Sequence, residues 1–139
     1  MMLQPKQRNN STKTSRTYNK SLDPKMSYLR SIYTYQRCDA NPRHRNIEWT
    51  LTFEEWVEIV QQKCSVCGSD PVMKEGRVHK KTGQQVPING VDRIDNAKGY
   101  VLENVRCSCS KCNYMKHNLD DSEFMEHIKR IWSYNFANL

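Results

Sequence analysis

The sequence predicts a small α+β fold: a two-stranded hairpin and a short helix at the centre, with longer helices on either side. Three observations predict it. Two runs with strand character, residues 86–95 and 101–107, flank the turn-forming Asn96-Ala-Lys-Gly-Tyr100. Helical apolar spacing with start signals occurs before and after them. Two Cys-x2-Cys pairs, Cys64/Cys67 and Cys109/Cys112, sit at the two ends of this region.

Residues 1–21 are rich in Asn, Ser, Thr, Lys and Arg and nearly free of apolar side chains, so they are expected to be a disordered arm. Asp23-Pro24 supplies an N-cap and a proline at the first helical position. Met26, Leu29, Ile32 and Tyr33 then follow at helical spacing, predicting a helix to about Arg37. Tyr28, Tyr33 and Tyr35, with Arg30 and Arg37, suit either a core face or contacts to bases and phosphates, and the core use is the commoner. Residues 39–50 are a loop broken by Pro42-Arg-His-Arg45. Thr52-Phe-Glu-Glu55 is a capping box, and Phe53, Trp56, Val57 and Val60 make one apolar helical face ending near Gln62. Residues 68–85 are a polar surface excursion. A third helix covers 110–117. A fourth starts at Leu119-Asp-Asp-Ser-Glu-Phe124, with Phe124, Ile128, Ile131 and Trp132 as its expected buried face and 135–139 fraying.

The cysteines address how such a chain holds together. With 139 residues and only 37% hydrophobic content, an ordinary core is hard to fill, and a covalent or metal staple would compensate. Two residues between paired cysteines allow a tight turn to aim both sulfurs at one tetrahedral ion, and Gly68 after Cys67 lets the backbone fold back beneath it. The doubled spacing favours one structural Zn²⁺ on Cys64, Cys67, Cys109 and Cys112 over free thiols or disulfides. Cys107, two residues before Cys109, reads as a small core residue of the strand.

Charge divides the chain. Residues 1–50 hold 10 Lys/Arg against 3 Asp/Glu, whereas residues 51–139 hold 12 against 12, so the whole formal excess of +7 lies in the first part. A basic region joined to a neutral module suits a polyanion, because Lys and Arg displace counterions from phosphates. No apolar run approaches the ~18 residues of a membrane span, and there is no signal-peptide core. A soluble, intracellular protein is expected, in the cytoplasm of a microbial or virus-infected cell, with no membrane partner.

Taken together, Cys64-Ser-Val-Cys-Gly68, Val91-Asp-Arg-Ile-Asp-Asn-Ala-Lys-Gly-Tyr100, Asn104-Val-Arg106 and Cys109-Ser-Lys-Cys-Asn-Tyr-Met-Lys116 resemble the HNH, or ββα-metal (His-Me finger), nucleases. The resemblance covers about residues 46–128 and is to the branch, found among phage and restriction endonucleases, in which a four-cysteine zinc staples hairpin to helix. Composition and charge, together with the resemblance, divide the chain into three regions: a basic disordered arm at 1–21, a DNA-contacting helix and basic loop at 22–50, and a zinc-stapled nuclease domain at 51–139.

By the same resemblance, the acid at the end of the first strand falls on Asp92 and the helix residue that shares its ion falls on Asn113. Together they are the expected holders of a catalytic Mg²⁺ or other divalent cation. Asn104 matches the middle Asn, which pins the loop between the strands. Alone, Asp92 could be a surface ion pair with Arg93, and Asn104 or Asn113 a simple turn or helix cap; it is their joint placement relative to both cysteine pairs that favours catalysis.

The chain departs from the family at Arg93, where the usual base is a histidine; a guanidinium cannot accept that proton. The sub-branch among restriction enzymes also reads Val-Asp-Arg there and extends upstream through His44-x-Asn46, which makes His44 the first candidate base, while Arg93 suits a phosphate clamp. His79, His117 and His127 are weaker candidates.

The implied function is a metal-dependent DNA endonuclease leaving a 5′-phosphate and a 3′-hydroxyl. The alternative is a catalytically inactive zinc-stapled DNA-binding module, regulatory or packaging-related. The expected substrate is double-stranded DNA. Sequence specificity, strand number and whether the chain forms a homodimer are left open by the sequence.

Overall fold

The computed structural model describes residues 23–137, so the expected arm at 1–21 lies outside the described residues. Pro24 fixes the first turn of α1 (Pro24–Ala40), although Asp23 occupies the N-cap without donating or accepting a side-chain capping bond. The helix runs three residues past the expected Arg37. Tyr28, Leu29, Ile32 and Tyr33 form its buried face, leaving Tyr35 exposed, so two of the three tyrosines serve the core.

At Thr52 the capping box forms in full: the hydroxyl accepts from the Glu55 amide at 3.2 Å and the Thr52 amide donates to the Glu55 carboxylate at 2.8 Å. Helix α2 (Phe53–Val60) follows and buries Phe53, Trp56, Ile59 and Val60. The centre of the core is aromatic. The Tyr33 ring meets Trp49, Phe53 and Trp56 edge-on at centroid separations of 5.5–5.8 Å, and the two polar tips are satisfied. Tyr33 Oη donates to the Leu51 carbonyl at 2.7 Å, and Trp56 Nε1 donates to Gln36 Oε1 at 2.8 Å.

The two expected strands pair as an antiparallel hairpin but are shorter than expected: β1 spans Gly90–Arg93 and β2 spans Val105–Ser108, in the register Val91↔Cys107 and Asp92↔Arg106. A single 3₁₀ turn, Leu102–Asn104, takes up the front of the second run. The pleat explains the division of labour. Val91 and Cys107 face α2 and the core, whereas Asp92 and Arg106 face the opposite side, which α3 (Ser110–Lys116) covers. The hairpin is therefore buried on both faces.

The loop between the strands folds back onto residues 46–50. Tyr100 donates to the Glu48 carbonyl at 2.8 Å and accepts from Thr50 at 3.1 Å. Gly99 permits this approach, because a Cβ there would stand 2.6 Å from the Glu48 carbonyl oxygen. Residues 68–85 are irregular apart from one bridge between Val72 and Ile88.

Helix α4 (Asp121–Phe136) starts at Asp120 with a second complete capping box. Its expected buried face is a correction. Phe124 is 3% exposed, but Ile131 is 44% and Trp132 62% exposed. Apolar spacing defines a face without supplying a surface to cover it, and among the described residues the core ends at the first turn of α4. Trp132 and Phe136 instead lie against each other at 4.9 Å. Among the described residues, no helix is long and apolar enough to cross a membrane.

Trp56 is fully buried. Trp56→Ala is expected to cost about 3–5 kcal/mol, whereas Trp132→Ala should change stability by less than about 0.5 kcal/mol. Urea denaturation followed by far-UV circular dichroism checks both.

Candidate functional site

The four cysteines come from two turns that meet at the end of the hairpin. After α2, the first turn closes through the Gly68 amide, which donates to the Cys64 carbonyl at 2.9 Å with Gly68 at φ +74. In the second, Cys109 is the N-cap of α3 and its sulfur accepts from the Cys112 amide at 3.4 Å. The four sulfurs all lie within 4.8 Å of one another.

Such crowding has an electrostatic consequence. Burial pushes the Cys64 thiol up, but amides of Cys109, Cys67 and Val66 more than offset it and bring Cys64 down to about 6. Hydrogen bonding from Ser69 lowers Cys67. Burial, then the neighbouring sulfurs, drive Cys112 strongly upward. Four thiolates cannot coexist at this separation without a cation, so the cluster fits a metal such as zinc. Cys107 takes no part. It is buried and donates to the Gln62 carbonyl at 3.1 Å.

Beside this cluster, a cavity of about 440 Å³ opens between the end of β1, the loop that follows it and α3. Asp92, Arg93 and Asn113 all line it. Asp92 is 5% exposed and both of its oxygens are engaged: Oδ2 accepts from Arg106 Nε at 3.2 Å and Oδ1 from Lys116 Nζ at 3.4 Å. Lys116, only 1% exposed, also donates to the Arg93 carbonyl at 2.8 Å and so locks α3 to β1. Arg106 bridges onward to the Asp121 carboxylate at the start of α4. Burial works against the Arg106 charge, but Asp121 and Asp92 more than compensate and raise its affinity for the proton.

Arg93 spends Nη1 on the carbonyls of Asn96 at 3.0 Å and Lys98 at 2.9 Å, and lies 5.3 Å from the Tyr100 ring centroid. Among the described residues its Nε and Nη2 make no hydrogen bond. Asn104 is buried away from the cavity and ties the loop. It accepts from the Asp95 amide at 3.0 Å and donates to the carbonyls of Asp95 at 2.9 Å and Gly99 at 3.0 Å.

His44 is exposed in the turn after α1 and does not line the cavity, although the next residue, Arg45, does. The histidine that does line it is His117, which caps the C-terminus of α3. The sequence singled out Asp92, Arg93 and Asn113, which the structure places on one cavity wall; it ranked His117 below His44 and did not point to Arg106, Lys116 or Arg45. Two of these were open to inference. Hairpin register sets Arg106 opposite Asp92, and helical spacing sets Lys116 and His117 three and four residues beyond Asn113.

No protein-family model matches the chain. Over 100 residues, 72% of its length, it is 33% identical to a protein described as uncharacterized protein R423 of Acanthamoeba polyphaga mimivirus, and it spans 16% of that protein's length. Among solved structures it is similar to the rare-cutting HNH restriction endonuclease PacI, with a TM-score of 0.45 and 27% identity over 73% of this chain and 78% of that one.

Asn104→Ala removes three hydrogen bonds of the strand-connecting loop. It is expected to lower stability by about 2–3 kcal/mol and to speed amide exchange at Asp95, read by hydrogen–deuterium exchange.

Proposed function

We propose that the chain is a metal-dependent DNA endonuclease of the HNH type, hydrolysing phosphodiester bonds to leave a 5′-phosphate and a 3′-hydroxyl. One observation carries the reading: Asp92, Arg93 and Asn113, singled out by the sequence resemblance, line a single cavity walled by the hairpin and the sulfur-bound helix. The four-cysteine cluster is assigned to a structural Zn²⁺. Holding α3 by its first turn, it would fix Asn113, which directly follows Cys112.

Asp92 and Asn113 would hold the second ion, of the Mg²⁺ type. That ion would neutralise charge on the phosphate and the departing oxygen. The donor set fits an ion that keeps most of its ligands as water and substrate oxygens, since the protein offers one carboxylate and one amide carbonyl. Because Lys116 and Arg106 already compensate Asp92, and Arg45 and Arg93 face the same space, the cavity attracts anions first. The residues here therefore bind a phosphate and a cation together more readily than a cation alone.

Arg93 has Nε and Nη2 available for two phosphate oxygens, and its Nη1 bonds to the loop hold the guanidinium in place. A guanidinium there supplies charge, not a base. The proton from the attacking water is assigned to a histidine: His44 by the resemblance, His117 by its position on the cavity wall. Asn104 keeps the loop carrying these donors in register.

The ion pairs that saturate Asp92 favour a second reading, a zinc-stapled DNA-binding module in which the cavity holds phosphate without cutting.

Two outcomes test these assignments. Elemental analysis of purified protein should find one zinc per chain, and chelation should unfold it, since structural zinc supplies on the order of 10 kcal/mol to small domains. Supercoiled plasmid should be cut with Mg²⁺ and left intact with excess chelator. Asp92→Asn, which keeps the side-chain size and an oxygen acceptor for Lys116 and Arg106, and Asn113→Ala should each slow cleavage by about 10²-fold or more while gel-shift binding persists. Binding without cleavage in any divalent cation would select the second reading.

A further inference from the structure

A second charged surface, sharing no residue with the cavity, lies along α1. Two contiguous hollows, of about 560 and 340 Å³, run between this helix and residues 76–81. The segment opposite the helix is built, not loose. His79 receives the Gly83 amide at 2.8 Å, its ring meets the Thr82 hydroxyl at 2.9 Å, and Gln85 Nε2 donates back to the carbonyls of Lys74 and Arg77 at 3.3 and 3.2 Å.

Arg30, Arg77, Lys80 and Lys81 line this groove, no acidic residue does, and none of the four makes an ion pair among the described residues. Polar groups beneath them are left without partners. Tyr28 is 1% exposed and, among the described residues, its hydroxyl has no hydrogen-bond partner; Arg30 Nε is likewise buried and without a partner among them, its guanidinium lying 3.9 Å from the Phe53 centroid. A buried phenol without a partner costs free energy that an incoming oxygen acceptor would recover. Burial raises the Tyr28 proton affinity and Arg77 works against that, so the Arg77 charge reaches the hydroxyl.

We infer that this groove is a second binding site for the sugar–phosphate backbone of DNA, contributing affinity without chemistry. The inference rests on the DNA reading above and adds a contact that the cavity does not require. Charge selects the occupant. Phosphates are attracted to the unpaired cations and accept from the orphaned donors, whereas a basic peptide such as the sequence of residues 1–22, with five Lys/Arg and no Asp/Glu, offers no complementary charge. Helix α1 joins the two surfaces. From Ser31 in the groove to Ala40, before the Arg45 turn, it rises about 14 Å, equivalent to about four base pairs of duplex at 3.4 Å each.

The test uses the full chain and a labelled duplex without a defined target sequence, titrated over a range of KCl concentrations. In Arg77→Ser/Lys80→Ser/Lys81→Ser the slope of log affinity against log salt should become shallower by about 2 to 3, near 0.9 per lost phosphate contact. Cleavage at saturating DNA should be unchanged. A control with two charges removed on α4, Lys129→Ser/Arg130→Ser, should keep the wild-type slope. Tyr28→Phe should keep or raise stability, because the lost hydroxyl has no partner, while weakening binding.

A triple variant with the wild-type slope overturns the inference, as does an equal fall in the α4 control or equally effective competition by polyglutamate at matched charge. Failure of the two proposals is separable. Wild-type protein that binds with the expected slope changes but never cuts sinks the endonuclease reading and keeps the groove. Cutting with an unaltered slope in the triple variant does the reverse.

Discussion

A pair of four-residue strands and a seven-residue helix cannot hold one another in place by hydrogen bonding alone. Isolated hairpins are marginal in water, and helices of two turns do not survive nucleation. The constraint on which this molecule depends is therefore the meeting of two cysteine turns, 42 residues apart between Cys67 and Cys109, whose sulfurs come within 3.8 Å. One turn ends the approach from α2 and the other begins α3. A metal held by both turns would seal the hairpin between the aromatic core and α3, the helix that places Asn113 and His117 on the cavity wall with Asp92.

Inside that frame the chain settles an electrostatic problem. A carboxylate buried to 5% exposure needs compensation, and Asp92 has it twice, from its cross-strand neighbour and from the last turn of α3. Each partner does a second task. Lys116 fastens the helix to the Arg93 carbonyl, and Arg106 carries the ion chain to Asp121, the first residue of α4. Hairpin, short helix and last helix are thus tied at one acid. The geometry of the cavity and the stability of its walls cannot be varied separately there.

Much of this was legible in the sequence, for identifiable reasons. Both capping boxes rest on side chains within one turn of the bonds they make, so Thr52 and Glu55 announce α2 without tertiary information. The cysteine pairs are likewise local, and their repetition implied the meeting. The strands were overestimated because Val101 and Leu102 have strand character, yet the return from the loop tightens into a 3₁₀ turn around Asn104. Ile131 and Trp132 mislead for the opposite reason. Burial is a property of what lies across from a face, and nothing within a helix records it. His44 and His117 show the same limit, since which imidazole reaches the cavity depends on how the 41–50 loop and the end of α3 are placed in space.

The buried acid itself separates the two functional readings on physical grounds. For a module that only grips phosphate, Asp92 is a liability. It cancels cationic charge at the floor of the cavity and needs both the buried Lys116 and the part-buried Arg106, so that only replacement of the whole ion cluster, not of Asp92 alone, would leave the fold undisturbed. Arg45 and Arg93 would attract DNA more strongly without it. A hydrolase has a use for the same arrangement. With Lys116 and Arg106 balancing its charge, the Asp92 carboxylate is held in one orientation, and under the endonuclease proposal a bound phosphate would supply the negative charge that favours a cation beside it. Holding an acid in a basic cavity weakens phosphate binding in the resting state; that acid ties hairpin, α3 and α4 together, and under the endonuclease proposal it would also ready the site for a charged transition state.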